Sequence, residues 1–134
     1  MQFLQGLAPV SASSGAQNGA VIDTTDYEGV VFILEVGVMT ATGTLDMKIQ
    51  RSAALAFGSP TDITGAALTQ LLAASGGSKC YAIAVPTPSQ QYVRCVVTPA
   101  TAASVFGVTA IPYGKRGTRP PSTGLTQNVI ATGV

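Results

Sequence analysis

Thr44-Leu45-Asp46-Met47-Lys48-Ile49-Gln50-Arg51 is the stretch that sets the fold class. Leu45, Met47 and Ile49 alternate with Asp46, Lys48 and Gln50. In an extended chain a period of two puts the apolar side chains on one face and the polar ones on the other. A slip of one residue would expose all three apolar side chains, so the register of this strand is firmly set. Upstream, Gly29 to Met39 is rich in β-branched and aromatic residues and nearly continuous in apolarity, which predicts a strand buried on both faces. Ala20 to Asp23 is a short strand candidate, and Thr24, Thr25 and Asp26 favour a turn after it.

Downstream, residues 56–62 contain Gly58-Ser59-Pro60 and read as a loop. Residues 63–74 fit two descriptions. Leu68, Leu71 and Leu72 share a helical face that Thr64 could cap and Gly76-Gly77 could end. The stretch is short and lies among strands, which favours a strand or irregular edge. Lys79–Val85 and Gln91–Thr98 are the next strands, and the Pro86-Thr87-Pro88-Ser89 turn between them predicts a hairpin. Pairing about that turn sets Cys80 opposite Cys95 and Tyr81 beside Arg94, a cation–π neighbourhood, with both faces covered. Ser104 to Ile111 is the last strand expected. Six to eight short strands without a long helix predict an all-β chain, an antiparallel β-sandwich or jelly roll with extended N- and C-terminal arms. The organisation expected is an N-terminal arm (1–18), a sandwich domain (19–111) and a basic C-terminal arm (112–134).

Composition narrows the chemistry. Only 10% of the 134 residues are charged, the net charge is +1, and Ala, Gly, Ser and Thr make up 60 positions. The chain has no His and no Trp, so no imidazole is present for a nucleophile pair or a metal site. No phosphate-cradling GxxxxGK[ST] occurs. Asp23, Asp26 and Glu28 cluster beside a strand start, where turn capping is the expected role, and they lack the EF-hand pattern. No catalytic residue, cofactor or metal is expected, and no small-molecule substrate. No run is long enough to span a bilayer as a helix, and the segment around Phe3, Leu4 and Leu7 lacks the basic start of a secretory signal. The only cysteines, Cys80 and Cys95, read as small buried thiols.

Charge is unevenly placed. All six acidic residues precede position 79, whereas Lys115, Arg116 and Arg119 fall within five positions of the C-terminal arm. That arm reads as a segment that docks on an acidic neighbour or as a solvated tail. Nucleic acid is the weakest option, because three cations release few counterions and only Tyr113 is available for stacking. Ordering an arm of ~20 residues costs on the order of 1–2 kcal/mol per residue. Leu125, Val129, Ile130 and Val134 at one end, or Phe3, Leu4, Leu7 and Val10 at the other, do not offset that alone. An ordered arm is therefore expected to be held by another chain.

Four stretches together carry a resemblance: residues 21–32 (VIDTTDYEGVVF), 42–50 (TGTLDMKIQ), 61–67 (TDITGAA) and 91–97 (QYVRCVV). They resemble the capsid cement (decoration) proteins of tailed bacteriophages, over roughly residues 19–111. The resemblance implies a jelly-roll or related β fold and a non-enzymatic virion protein made in the host bacterial cytoplasm. It implies a place on the capsid exterior, with the major capsid protein and further copies of itself (homodimer or homotrimer) as partners. The partner contacts are then expected at Phe3, Leu4, Leu7, Tyr113, Lys115, Arg116, Arg119, Leu125, Val129 and Ile130. The strand at 92–97 is also similar to galactose-binding-like sandwiches, which keeps open a carbohydrate- or receptor-binding sandwich of a tail or head fibre.

Overall fold

The computed structural model describes residues 2–114. Ten strands and one helical turn follow in order: β1 (Leu4–Ala12), β2 (Gln17–Asn18), β3 (Ile22–Asp23), β4 (Gly29–Met39), β5 (Thr44–Ser52), β6 (Thr61–Ala67), β7 (Leu71–Leu72), α1 (Ala73–Gly76), β8 (Lys79–Pro86), β9 (Tyr92–Ala100) and β10 (Ser104–Tyr113). They form two antiparallel sheets. Sheet A has the order β1-β10-β4-β8. Sheet B has the order β2-β9-β5-β6, with β3 also on β9 and β7 also on β5. The fold is all-β and sandwich-like, with the inner faces of both sheets meeting in one core.

The alternation in β5 does what the pattern dictates. Leu45, Met47 and Ile49 are buried and Asp46, Lys48 and Gln50 are only half-covered. β4 supplies Val30, Phe32, Leu34 and Val36 from the opposite sheet. Burying each such side chain fully stabilises the fold by about 1.5–3 kcal/mol. Residues 63–74 resolve into the edge strands β6 and β7 and the single turn α1, so the helical face of Leu68, Leu71 and Leu72 does not form.

Three expectations are corrected. β8 and β9 are not a hairpin: β8 pairs with β4 in sheet A, and β9 pairs with β5 in sheet B. Two apolar rows can meet side by side in one sheet or face to face across a core. Here Ile83 and Val85 face Val93, Cys95 and Val97 from opposite sheets, which buries both rows. Cys80 therefore pairs with Glu35 and is exposed, while Cys95 pairs with Ile49 and is buried. The Tyr81–Arg94 neighbourhood does not form either. Tyr81 donates its hydroxyl to the Gly76 carbonyl at 3.1 Å, and Arg94 lies over the Phe57 ring at 4.5 Å.

Second, β4 is not buried on both faces. Val31 and Ile33 are half-exposed and Glu35 is exposed. Third, Leu4 to Ala12 is no free arm but the edge strand of sheet A, paired with β10 from Leu4↔Ala110 to Ala12↔Ser104. The side chains of Leu4, Leu7, Val10 and Ala12 pack against the core, and the ladder to β10 satisfies backbone groups that a count of apolar side chains omits. At the other end β10 runs on through Pro112 and Tyr113. The expected arm beyond Gly114 lies outside the described residues.

One side of the sandwich is closed mainly by backbone hydrogen bonds, with the Cys95 thiol against the Gly6 carbonyl. Ala20 donates its N–H to the Gly6 carbonyl (2.7 Å) and Gly19 donates to the Cys95 carbonyl (2.8 Å), tying the β1 edge of sheet A to β9 of sheet B. A Cβ at Gly19 would collide with the Gly6 carbonyl and with the Cys95 sulfur. Gly19→Ala is therefore expected to destabilise the protein by about 1–3 kcal/mol. Gly58→Ala, where a Cβ meets nothing within 4 Å, is the control and should stay within about 0.5 kcal/mol. Urea midpoints of the two variants check this.

Candidate functional site

The two outer faces of the sandwich differ in chemistry. On sheet B the outward residues of β5 and β9 form a polar network. Lys48 and Gln50 both donate to the Asp62 carboxylate, each at 2.9 Å, and Arg94 donates from Nε and Nη2 to the Gln50 carbonyl oxygen at 3.2 and 3.0 Å. The Gln50 and Lys48 hydrogen bonds hold the Asp62 carboxyl below its usual range. Phe57, on the loop between β5 and β6, folds over this face and lies buried against the Arg94 guanidinium. Its backbone sits in the left-handed region at φ 54°, a conformation costing of order 1–3 kcal/mol that burial and the cation–π contact offset. Residues 56–62 gave no sign of this, because a single Phe in a Gly/Pro loop has no periodicity to betray its burial.

Near the end of the sandwich where β4 begins, Asp23 caps its turn by accepting from the Thr25 hydroxyl (2.6 Å) and backbone N–H (2.9 Å). These bonds, with Gln91, keep the Asp23 carboxyl below its usual range. Asp23 thus acts on the backbone of its own turn, as the turn sequence implied. No group of three or more potential metal ligands occurs among the described residues.

Sheet A presents the candidate binding surface. The registers Val31↔Ile111, Ile33↔Thr109 and Glu35↔Gly107 place these residues in rows across β4 and β10. Val31↔Ala84 and Ile33↔Ala82 continue the rows onto β8. All point away from the core, since Phe32, Leu34 and Val108 between them point into it. The result is an outward face of β-branched and small side chains with Glu35 as its one charge. At the β1 end, Phe3, Gln5 and Pro9 wall a shallow groove of about 280 Å³ whose floor is Gly107 and Thr109, with Glu35 in its lining. The near-continuous apolarity of residues 29–39 was the signal for this surface; its outward half belongs to exposure and not to burial.

The expected contact residues divide three ways. Phe3 is exposed and borders the groove. Leu4 and Leu7 line it too but pack partly against the core. Tyr113 lies across Gly29, where a Cβ would stand 2.5 Å from its hydroxyl oxygen. Lys115, Arg116, Arg119, Leu125, Val129 and Ile130 fall outside the described residues. Phe3, Leu4 and Leu7 therefore come together, and Tyr113 stands apart, beyond the Val31–Ile111 row.

Compared with family models, with curated proteins and with solved structures, the chain matches none.

The two thiols should differ sharply in reactivity. Burial pushes the Cys95 thiol up to about 12, whereas Cys80 is exposed on the outer face. The thiolate is the reactive form, so alkylation of the folded protein should add one adduct, at Cys80, and a second only on unfolding. Mass spectrometry with and without denaturant reads the count.

Proposed function

We propose that the chain is a structural virion protein, a capsid cement (decoration) protein of a tailed bacteriophage. In this reading it binds the outside of the major capsid protein lattice, bridges neighbouring subunits and braces the DNA-filled head. It carries no catalysis and works as several copies on the capsid exterior, after synthesis in the host bacterial cytoplasm.

Strand order is the observation that carries the reading. Taking β2 with β3 and β6 with β7 as single interrupted strands leaves eight. Numbered afresh along the chain, their order is 1-8-3-6 in sheet A and 2-7-4-5 in sheet B. That order supports a jelly roll, two interlocked Greek keys, an architecture that recurs in viral capsid proteins and in lectins. A fold does not choose between those two uses; the surface has to. A sugar site relies on exposed aromatic platforms, and all four tyrosines here are half-buried. The outer face of sheet A instead offers β-branched and small side chains, which suits a protein surface as partner. Single contacts of that kind are weak, and many copies on a lattice hold by avidity.

The C-terminal segment is the part of the reading that a truncation tests. Every described strand ends by Tyr113, so a chain stopped at Gly114 keeps them all. It is expected to unfold at a urea midpoint close to that of the full chain and to lose co-sedimentation with empty phage heads. Full occupancy of heads by the truncated protein would overturn the reading.

A further inference from the structure

We propose that Asn18–Gly19 is a deamidation site, kept unreactive by the backbone strap that Gly19 and Ala20 form across the sandwich, and that its isoaspartate product releases that strap. The proposal stands apart from the capsid reading, and its test needs no phage head.

The reactive pair is in the sequence. Asn18 and Asn128 are the only asparagines of the chain, and Gly19 and Val129 follow them. In deamidation the backbone nitrogen of the following residue attacks the asparagine Cγ. The N–Cγ bond forms, the Cγ–Nδ2 bond breaks, and ammonia leaves with the proton of the attacking amide. Water then opens the resulting succinimide at one of its two carbonyls, giving aspartate or isoaspartate. Glycine is the least hindered follower for this ring closure, because it has no Cβ and turns its backbone freely. The branched Val129 hinders it.

The fold explains both the glycine and its restraint. A Cβ at Gly19 would collide with the Gly6 carbonyl oxygen and stand 2.5 Å from the Cys95 sulfur, so the closure itself demands glycine after Asn18. The same closure occupies the nucleophile. Gly19 donates its N–H to the Cys95 carbonyl at 2.8 Å, and Ala20 donates to the Gly6 carbonyl at 2.7 Å. Asn18 is exposed and lies in β2, opposite Val96. Ring closure needs its backbone turned away from the extended conformation that a strand imposes. The amide is thus open to water while its attacker is hydrogen-bonded and held off, and reaction waits for the strap to open. β2 is only two residues long, so it opens locally at less cost than the whole sandwich.

The two products differ in consequence. Aspartate changes only the charge of an exposed side chain. Isoaspartate inserts a methylene into the main chain just before Gly19, so the N–H groups of Gly19 and Ala20 no longer match the spacing of the Cys95 and Gly6 carbonyls. The Cys95 thiol, 3.8 Å from the Gly6 carbonyl oxygen and beside Gly19, then loses its cover.

The test incubates the full-length protein in mildly alkaline buffer, with and without urea, and follows Asn18 by peptide mapping. In denaturing urea Asn18 should convert ahead of Asn128. It should also convert there at least about tenfold faster than in the folded protein. Sub-denaturing urea should leave the folded rate nearly unchanged, as local opening requires. Folded protein carrying isoaspartate at position 18 is then separated and alkylated without denaturant. It should take a second adduct, at Cys95, whereas Asn18→Asp should take one, at Cys80. Equal conversion in folded and unfolded protein would overturn the proposal. So would a folded rate that climbs steeply from the lowest urea, or isoaspartate chains that still take a single adduct.

Discussion

The structure depends on two rows of side chains facing each other across the sandwich. Val30, Phe32, Leu34 and Val36 of β4 look inward from sheet A, and Leu45, Met47 and Ile49 of β5 look inward from sheet B. β4 and β5 are consecutive in sequence and lie in opposite sheets, joined by a short turn. Once these rows are pressed together, the period of two fixes which side of every neighbouring strand faces in. Ile83 and Val85 follow from the register with β4, and Val93, Cys95 and Val97 from the register with β5. The largest favourable term and the strand register are therefore set by the same contact.

The outer faces follow as its complement. Sheet B places its scarce charge where it can be used: Lys48, Asp62, Gln50 and Arg94 satisfy one another, and Phe57 closes over them. Sheet A has β-branched and small residues outside as well as apolar ones inside, with Glu35 alone among them. An exposed apolar sheet face in a chain with so little charge suits contact with other protein surface. The edges are treated differently. The β1 edge is tied to sheet B through Gly6, Gly19 and Ala20, a contact too close for a side chain at Gly19. The β8 edge carries an exposed Lys79 and Pro86 at its two ends, residues that discourage pairing with another strand.

Local patterns were readable wherever burial is one-sided and the strand pairs in register. The β5 alternation, the Asp23 turn and the loop at Gly58-Ser59-Pro60 all follow from a few adjacent residues. Apolarity on two sides was ambiguous. In β4 it did not mean two covers, and in β8 and β9 it did not mean a shared sheet. A short Pro-containing loop such as 87–91 serves a hairpin and a crossover equally well. Which half of β4 stays open could not be read for the same reason: Val31 and Ile33 look alike in sequence whether covered or not.

The amino-acid sequence by itself determined that the described region is all-β, which face of β5 lines the core, and that imidazole chemistry is absent. Those properties follow from composition and from a period of two, both of which are local. Only the tertiary structure decided the partner of each strand, because pairings such as Leu4↔Ala110 and Glu35↔Cys80 join distant residues that carry no mutual mark in the sequence. It decided that the N-terminal segment is an edge strand and not an arm, since backbone hydrogen bonds to β10 add to a burial that side chains alone do not supply. It also decided which apolar face is left open, because cover is a property of what lies opposite a strand and not of the strand itself.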